Sequence, residues 1–301
     1  MKNILKKIYF LLVNLIPVKC FRHFLRDAYN NYFELHFVPE EAVRKKFAFL
    51  KQDYSTVALG SSHCQSMFDP EEIDSSFNFG LNSADAFIFL EMYKNILRQS
   101  KVKNIIVFYD VFTKGSDNSK RKGFEYTFLP LKYILGINYE YDNKRIKNIV
   151  KNYEKNFIEK DENYKGFSPF EISIVPEYTI EGRCKSHLKI WNLAKGDNLI
   201  VDLANECFSD NRNFILVISP ATLRYKSYMP DSKYLFGEII EKLQNIENFN
   251  KYGKIYNFYD TNEFDDNNLW IDADHTNRKG AKFLTKLLKQ KIQQDSKKDK
   301  K

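Results

Sequence analysis

Short apolar runs alternate with longer amphipathic ones along most of this chain. Five runs have strand length: 55–59 (STVAL), 76–79 (SFNF), 104–109 (NIIVFY), 213–218 (NFILVI) and 254–259 (KIYNFY). The longest carry no polar face, which predicts strands buried on both sides. Helical patterns lie between them, over about 83–99, 184–208, 231–246 and 277–292. The last places Ala281, Leu284, Leu287, Leu288 and Ile292 on one face at three-and-four spacing. Strands alternating with helices predict a mostly parallel five-stranded sheet covered on both faces. That is a three-layer α/β/α, flavodoxin-like fold.

The pattern breaks at both ends and once in the middle. Residues 111–212 are too long for one crossover helix and predict a helical insertion on the side of the strands' carboxyl ends. Residues 1–50 read as a basic and apolar helical arm, 51–293 as the α/β domain and 294–301 as a disordered basic tail. The apolar stretch 8–18 (IYFLLVNLIPV) has eleven residues, whereas a membrane span needs about 20. Lys19, Cys20, Phe21 and Arg22 follow it, not a small-residue cleavage site. The expectation is a cytoplasmic, unsecreted protein. Its arm either lies on an anionic membrane surface on the cytoplasmic face or packs on its own body.

Composition adds a constraint on partners. The 301 residues carry a net charge of +8. Residues 1–26 hold six basic side chains and no acid, and 278–301 carry +8, so the ends total +14 and 27–277 carry −6. A nucleic-acid protein concentrates basic charge on its folded body, so that class is set aside. Cys20, Cys64, Cys184 and Cys207 are scattered without a CxxC or Cys/His cluster, which argues for reduced thiols and against a metal site. No GxGxxG or GxxxxGK[ST] phosphate loop is present, and no cofactor is expected.

Parallel sheets put their chemistry at the carboxyl ends of strands. After the first strand stands Gly60-Ser61-Ser62-His63, a turn that leaves a hydroxyl free beside main-chain N–H groups. After the last stands Asp272-Ala273-Asp274-His275, just before the final helix. A carboxylate three residues before a histidine orders the imidazole tautomer and makes the ring a general base. Five further residues are weaker substrate-binding candidates: His63 beside the nucleophile, Arg183 and His187 at helical spacing in the insertion, and Arg224 and Tyr225 after the fourth strand.

These two ends resemble the SGNH (GDSL-like) hydrolase superfamily, in a divergent form similar to proteins encoded with bacterial surface-polysaccharide genes. The resemblance covers about 54–110 and 213–292. It implies Ser62 as nucleophile, His275 as base and Asp272 as its orienter. The oxyanion donors would be the N–H groups of Ser62 and Gly80, with Asn82 beside them. Ser61 replaces the family's usual Asp, and Asp110 stands where its Gly-x-Asn-Asp block would supply a donor. The implied activity is ester hydrolysis or O-acyl transfer, commonly of acetyl, on a carbohydrate or acylated glycan, the transfer needing an acyl donor. The alternative is a catalytically weak glycan-binding or assembly protein.

Overall fold

The computed structural model describes residues 41–114, 134–136, 148, 151–152, 155, 163–170, 179–193 and 196–298. Residues 1–40 of the expected arm, most of 115–162 and residues 299–301 lie outside that set. A helix over 41–50 (α1) precedes β1 (Thr56–Leu59) and α2 (Ser62–Met67). Next come β2 (Ser76–Asn78), α3 (Ala86–Met92, continued by a π-turn Tyr93–Leu97) and β3 (Asn104–Tyr109). The insertion supplies α4 (Ile180–Leu193) and α5 (Asp197–Ser209), followed by β4 (Asn213–Ile218) and α6 (Leu223–Lys226). The chain ends through α7 (Ser232–Gln244), α8 (Phe249–Tyr252), β5 (Gly253–Asn257) and α9 (Arg278–Lys298).

All five strands are parallel, in the order β2-β1-β3-β4-β5, so the fold is the expected three-layer α/β/α. Side chains alternate between two separate cores. Val57, Leu59, Ile105, Val107, Tyr109, Leu216 and Ile218 join Phe89, Leu203 and Phe236 on one face. Ala58, Ile106, Phe108, Ile215 and Val217 join Met67, Leu284 and Leu288 on the other. A run without a polar face is what two covered faces require.

Two expectations need correction. The helix expected over 184–208 begins at Ile180, and α4 and α5 are separate helices with Gly196 as the N-cap of α5. The glycine N–H donates to Lys114 O at 2.7 Å, and the break brings Asp197 to Lys114 Nζ at 3.2 Å and to the Tyr109 hydroxyl. The tail expected to be disordered from 294 is helical through Lys298. Asp295 accepts from Tyr256 OH at 2.9 Å and pairs with Lys298 at 3.6 Å, tying an apolar-poor segment to β5. No helix among the described residues is long and apolar enough to cross a membrane.

Candidate active site

β1 delivers the chain into a tight turn at Gly60, where a Cβ would stand 2.3 Å from Cys64 Cβ. Ser61 caps α2, its hydroxyl accepting from His63 N–H at 3.3 Å. Ser62 is therefore the first helical residue, and its N–H has no acceptor within the helix.

The loop before α9 is built around Asp272. Its Oδ1 accepts from the N–H groups of Asp274 at 3.1 Å and His275 at 2.9 Å. Ile271 N–H donates to His275 O at 2.9 Å, Trp270 bridges to Thr276, and Asn277 accepts from Gly280 N–H at 3.0 Å to cap α9. This folding turns Asp272 toward its own neighbour: His275 Nδ1 lies 3.0 and 3.1 Å from the two carboxylate oxygens. The other ring nitrogen, Nε2, lies 3.0 Å from Ser62 Oγ across 213 positions of sequence. Ser62, His275 and Asp272 thus form a continuous hydrogen-bonded chain. The ring of Phe170 meets His275 edge-on at 5.0 Å.

A second, buried charge cluster backs this chain. His63 places Nδ1 2.9 Å from Asp110 Oδ2 and Nε2 3.2 Å from Asp274 Oδ2. Ser61 Oγ donates to Asp110 at 2.8 Å, and Asp110 also accepts from Phe112 and Thr113 N–H at 2.7 and 2.8 Å. Arg183 reaches from α4 to grip Asp274 with Nε at 3.0 Å and Nη2 at 3.0 Å. Burial works against charge on His63, but the flanking Asp110 and Asp274 carboxylates prevail and lift it to about 10. Burial likewise works to raise Asp110, and the His63 charge and bonds hold it at about 2. Asp274 is held well below the carboxylate range despite its burial by the facing His275, His63 and Arg183 groups. His187 differs: burial, only partly offset by Asp274, pushes it down to about 4, and its Nδ1 bonds Tyr225 OH at 2.6 Å.

The expected site residues therefore divide. Ser62, His275 and Asp272 come together. His63, Arg183, His187 and Tyr225 join the buried cluster or its edge, so their polar groups hold one another and Asp274. Arg224 is exposed on α6 and Asn82 is exposed, accepting from Ser83 Oγ at 3.4 Å. The Gly80 N–H expected to serve an oxyanion donates instead to Asn78 Oδ1 at 2.9 Å, while Lys45 Nζ donates to Gly80 O at 2.5 Å. Asn78 in turn donates to Cys64 O at 2.9 Å and Phe68 O at 2.6 Å, clamping β2 to α2. Gly80 is needed there for another reason, because a Cβ would stand 2.4 Å from Gln65 N. Among the described residues, the Ser62 N–H and the Asn82 side-chain amide are the expected donors given no protein acceptor.

Sequence reasoning missed Asp110 and Asp274 as site residues. In the sequence Asp110 reads only as a non-donor after β3, and Asp274 lies unmarked between Asp272 and His275. The signal was position: both acids follow a strand end or flank the candidate base. Behind the cluster lies a cavity of about 20 Å³, room for one water, onto which Asp110, Asp274, Ser219 and Tyr259 face. The Ser219 and Tyr259 hydroxyls find no partner among the described residues. His63, Asp274 and His275 bring potential metal-ligand atoms within 4.8 Å of one another. Each is already engaged in the ion pairs above, so the donor set fits charge pairing better than a metal. Cys64, Cys184 and Cys207 are free and buried.

No known protein-family profile matches the chain, and no curated protein does. A solved structure described as "a putative platelet activating factor from Streptococcus pneumonia" superposes with a TM-score of 0.46 at 13% identity, covering 90% of this chain and 99% of that one.

Proposed function

We propose that this chain is a serine-dependent ester hydrolase or O-acyltransferase of SGNH type, acting on an acylated carbohydrate in surface-polysaccharide modification. One observation carries the reading: the Ser62 Oγ–His275 Nε2 contact of 3.0 Å, with Asp272 3.0 Å from Nδ1. Ser62 gives its proton to His275 Nε2 as its oxygen attacks the acyl carbonyl. Asp272 fixes the Nδ1–H tautomer and stabilises the imidazolium. The Ser62 N–H, at the positive end of α2, faces the developing oxyanion. The imidazolium returns the proton to the leaving alcohol, releasing it and leaving an acyl-Ser62 ester. Water or a sugar hydroxyl then takes the acyl group by the same steps in reverse. The cytoplasmic location and a membrane role for residues 1–26 belong to the same proposal, and liposome flotation with and without that segment checks the latter.

A second reading, a weakly catalytic glycan-binding protein, is favoured by the commitment of Gly80 N–H to Asn78, since losing one oxyanion donor costs about 10²–10³ in turnover. Labelling by a fluorophosphonate separates the two. Stoichiometric modification of wild type, lost in Ser62→Ala, supports the enzyme. An unlabelled wild type that binds acetylated glycan as tightly as Ser62→Ala would establish the binder.

A further inference from the structure

The ring of His63 lies stacked on that of His275, with centroids 4.7 Å apart and planes 20° from parallel. It is 5% exposed, and each of its nitrogens faces a buried carboxylate oxygen. A neutral imidazole has one N–H and one lone pair, so one of those contacts would set lone pair against lone pair. Two charged acids, Asp110 and Asp274, cannot both be satisfied by it. Ser61 Oγ also lies 3.1 Å from Nδ1, but it donates to Asp110 at 2.8 Å, so with both acids charged the contacts close when both ring nitrogens carry protons.

We propose that His63 is a permanently charged positioning residue, an imidazolium clamped between Asp110 and Asp274 whose stacked ring fixes the ring of His275 between Ser62 and Asp272. The inference rests on the reading of Ser62 and His275 given above. The groups facing His275 come from several elements. Asp272 and Asp274 belong to its own loop, with Asp274 Oδ1 3.6 Å from Nδ1. Ser62 and His63 come from α2. Arg183 from α4 and Asp110 after β3 act at one remove, through Asp274 and His63, and His187 lies 4.0 Å from Asp274. Phe170 adds only a ring edge. Among the described residues, Asp110 and Asp274 are balanced by His63 and Arg183, so the charged His63 ring is held by matched partners and gives His275 a fixed surface to stack on.

The test measures the rate of Ser62 labelling by a fluorophosphonate against pH in the full-length protein, together with ¹⁵N spectra of the imidazole rings. His63→Gln should lower the limiting labelling rate by about tenfold or more, because the ring on which His275 stacks is lost and the base is no longer held in line with Ser62. In wild type, both His63 nitrogens should show protonated shifts at pH 8. Thermal unfolding reports whether the variant folds. If His63→Gln does not fold, Asp110→Asn carries the test, since it leaves the ring in place and should let His63 lose its second proton well below the wild-type value of about 10. A neutral His63 tautomer in wild type at pH 8 overturns the inference. So does an unchanged limiting rate in folded His63→Gln, or an unchanged His63 titration in Asp110→Asn. A wild type unlabelled at every pH overturns the Ser62 reading itself, and the positioning role with it, whereas a labelled wild type with an equally fast variant sinks the positioning role alone.

Discussion

Asp272 holds three groups with one side chain: the N–H groups of Asp274 and His275, and the His275 ring. The first two shape the loop and the third orders the imidazole. Asp272→Asn keeps an oxygen that can accept from the backbone, so the loop survives. Its amide can no longer stabilise the imidazolium and can turn its NH₂ toward Nδ1, favouring the wrong tautomer. On the proposed activity, ester turnover should fall by about 10⁴ with little change in melting temperature, the loss expected when the carboxylate that orients a general-base histidine is replaced. A loss below tenfold in a steady-state esterase assay would show that Asp272 only builds the loop. Ser61 acts at the same scale: it caps α2 and its hydroxyl donates to Asp110, the carboxylate that follows β3, at 2.8 Å.

At the scale of elements, period and punctuation showed where strands and helices lie, because burial on two faces leaves no polar register to misread. β3 and β4 begin and end where the apolar runs NIIVFY and NFILVI do. The Ser62–His275–Asp272 chain was legible because its three residues occupy two short loops at strand ends. Of the second cluster, His63 and Arg183 stood out as polar candidates but its acids did not, since an Asp after β3 and an Asp inside a loop share no spacing. Nor could apolar periodicity show the break before Asp197, whose reason is a buried partner on β3, or the end of α9, whose last turn is tied by Tyr256. The insertion meets the α/β body at Asp274, where α4 presents Arg183 and His187 one turn apart. Arg183→Leu removes one side of a largely buried ion pair and should destabilise the fold by about 2 kcal/mol or more in urea titration. Ser62 labelling should slow in the folded fraction as Asp274 loosens. Unchanged stability would mean that α4 is held by its apolar contacts alone.

For the whole molecule the buried histidines set a stability profile with two unequal slopes. The His63 folded-state value is raised from 6.5 to about 10, so the native state binds more protons than the unfolded chain between those limits. Its contribution is complete below about 6.5 and is lost as pH rises through about 10. His187 has the opposite sign in a different window. It is lowered from 6.5 to about 4, so the unfolded chain binds more protons there, and stability falls as pH drops from 6.5 toward 4. Asp110, lowered from 3.8 to about 2, contributes above about 3.8 and loses that contribution as pH falls toward 2, adding to the acid side. Together these groups place the stability maximum near pH 6.5, with separate causes on its two flanks. Calorimetric melting temperatures across pH 4–10 should therefore peak near 6.5. His187→Phe, in which no ring needs to shed a proton, should flatten the acid flank between 4 and 6.5 and leave the alkaline flank alone. Asp110→Asn should do the reverse between 6.5 and 10, because it removes one of the two carboxylates that hold the His63 proton. A variant that changed both flanks equally would show that the two histidines titrate as one unit through Asp274, which touches both, and not as two groups with separate causes.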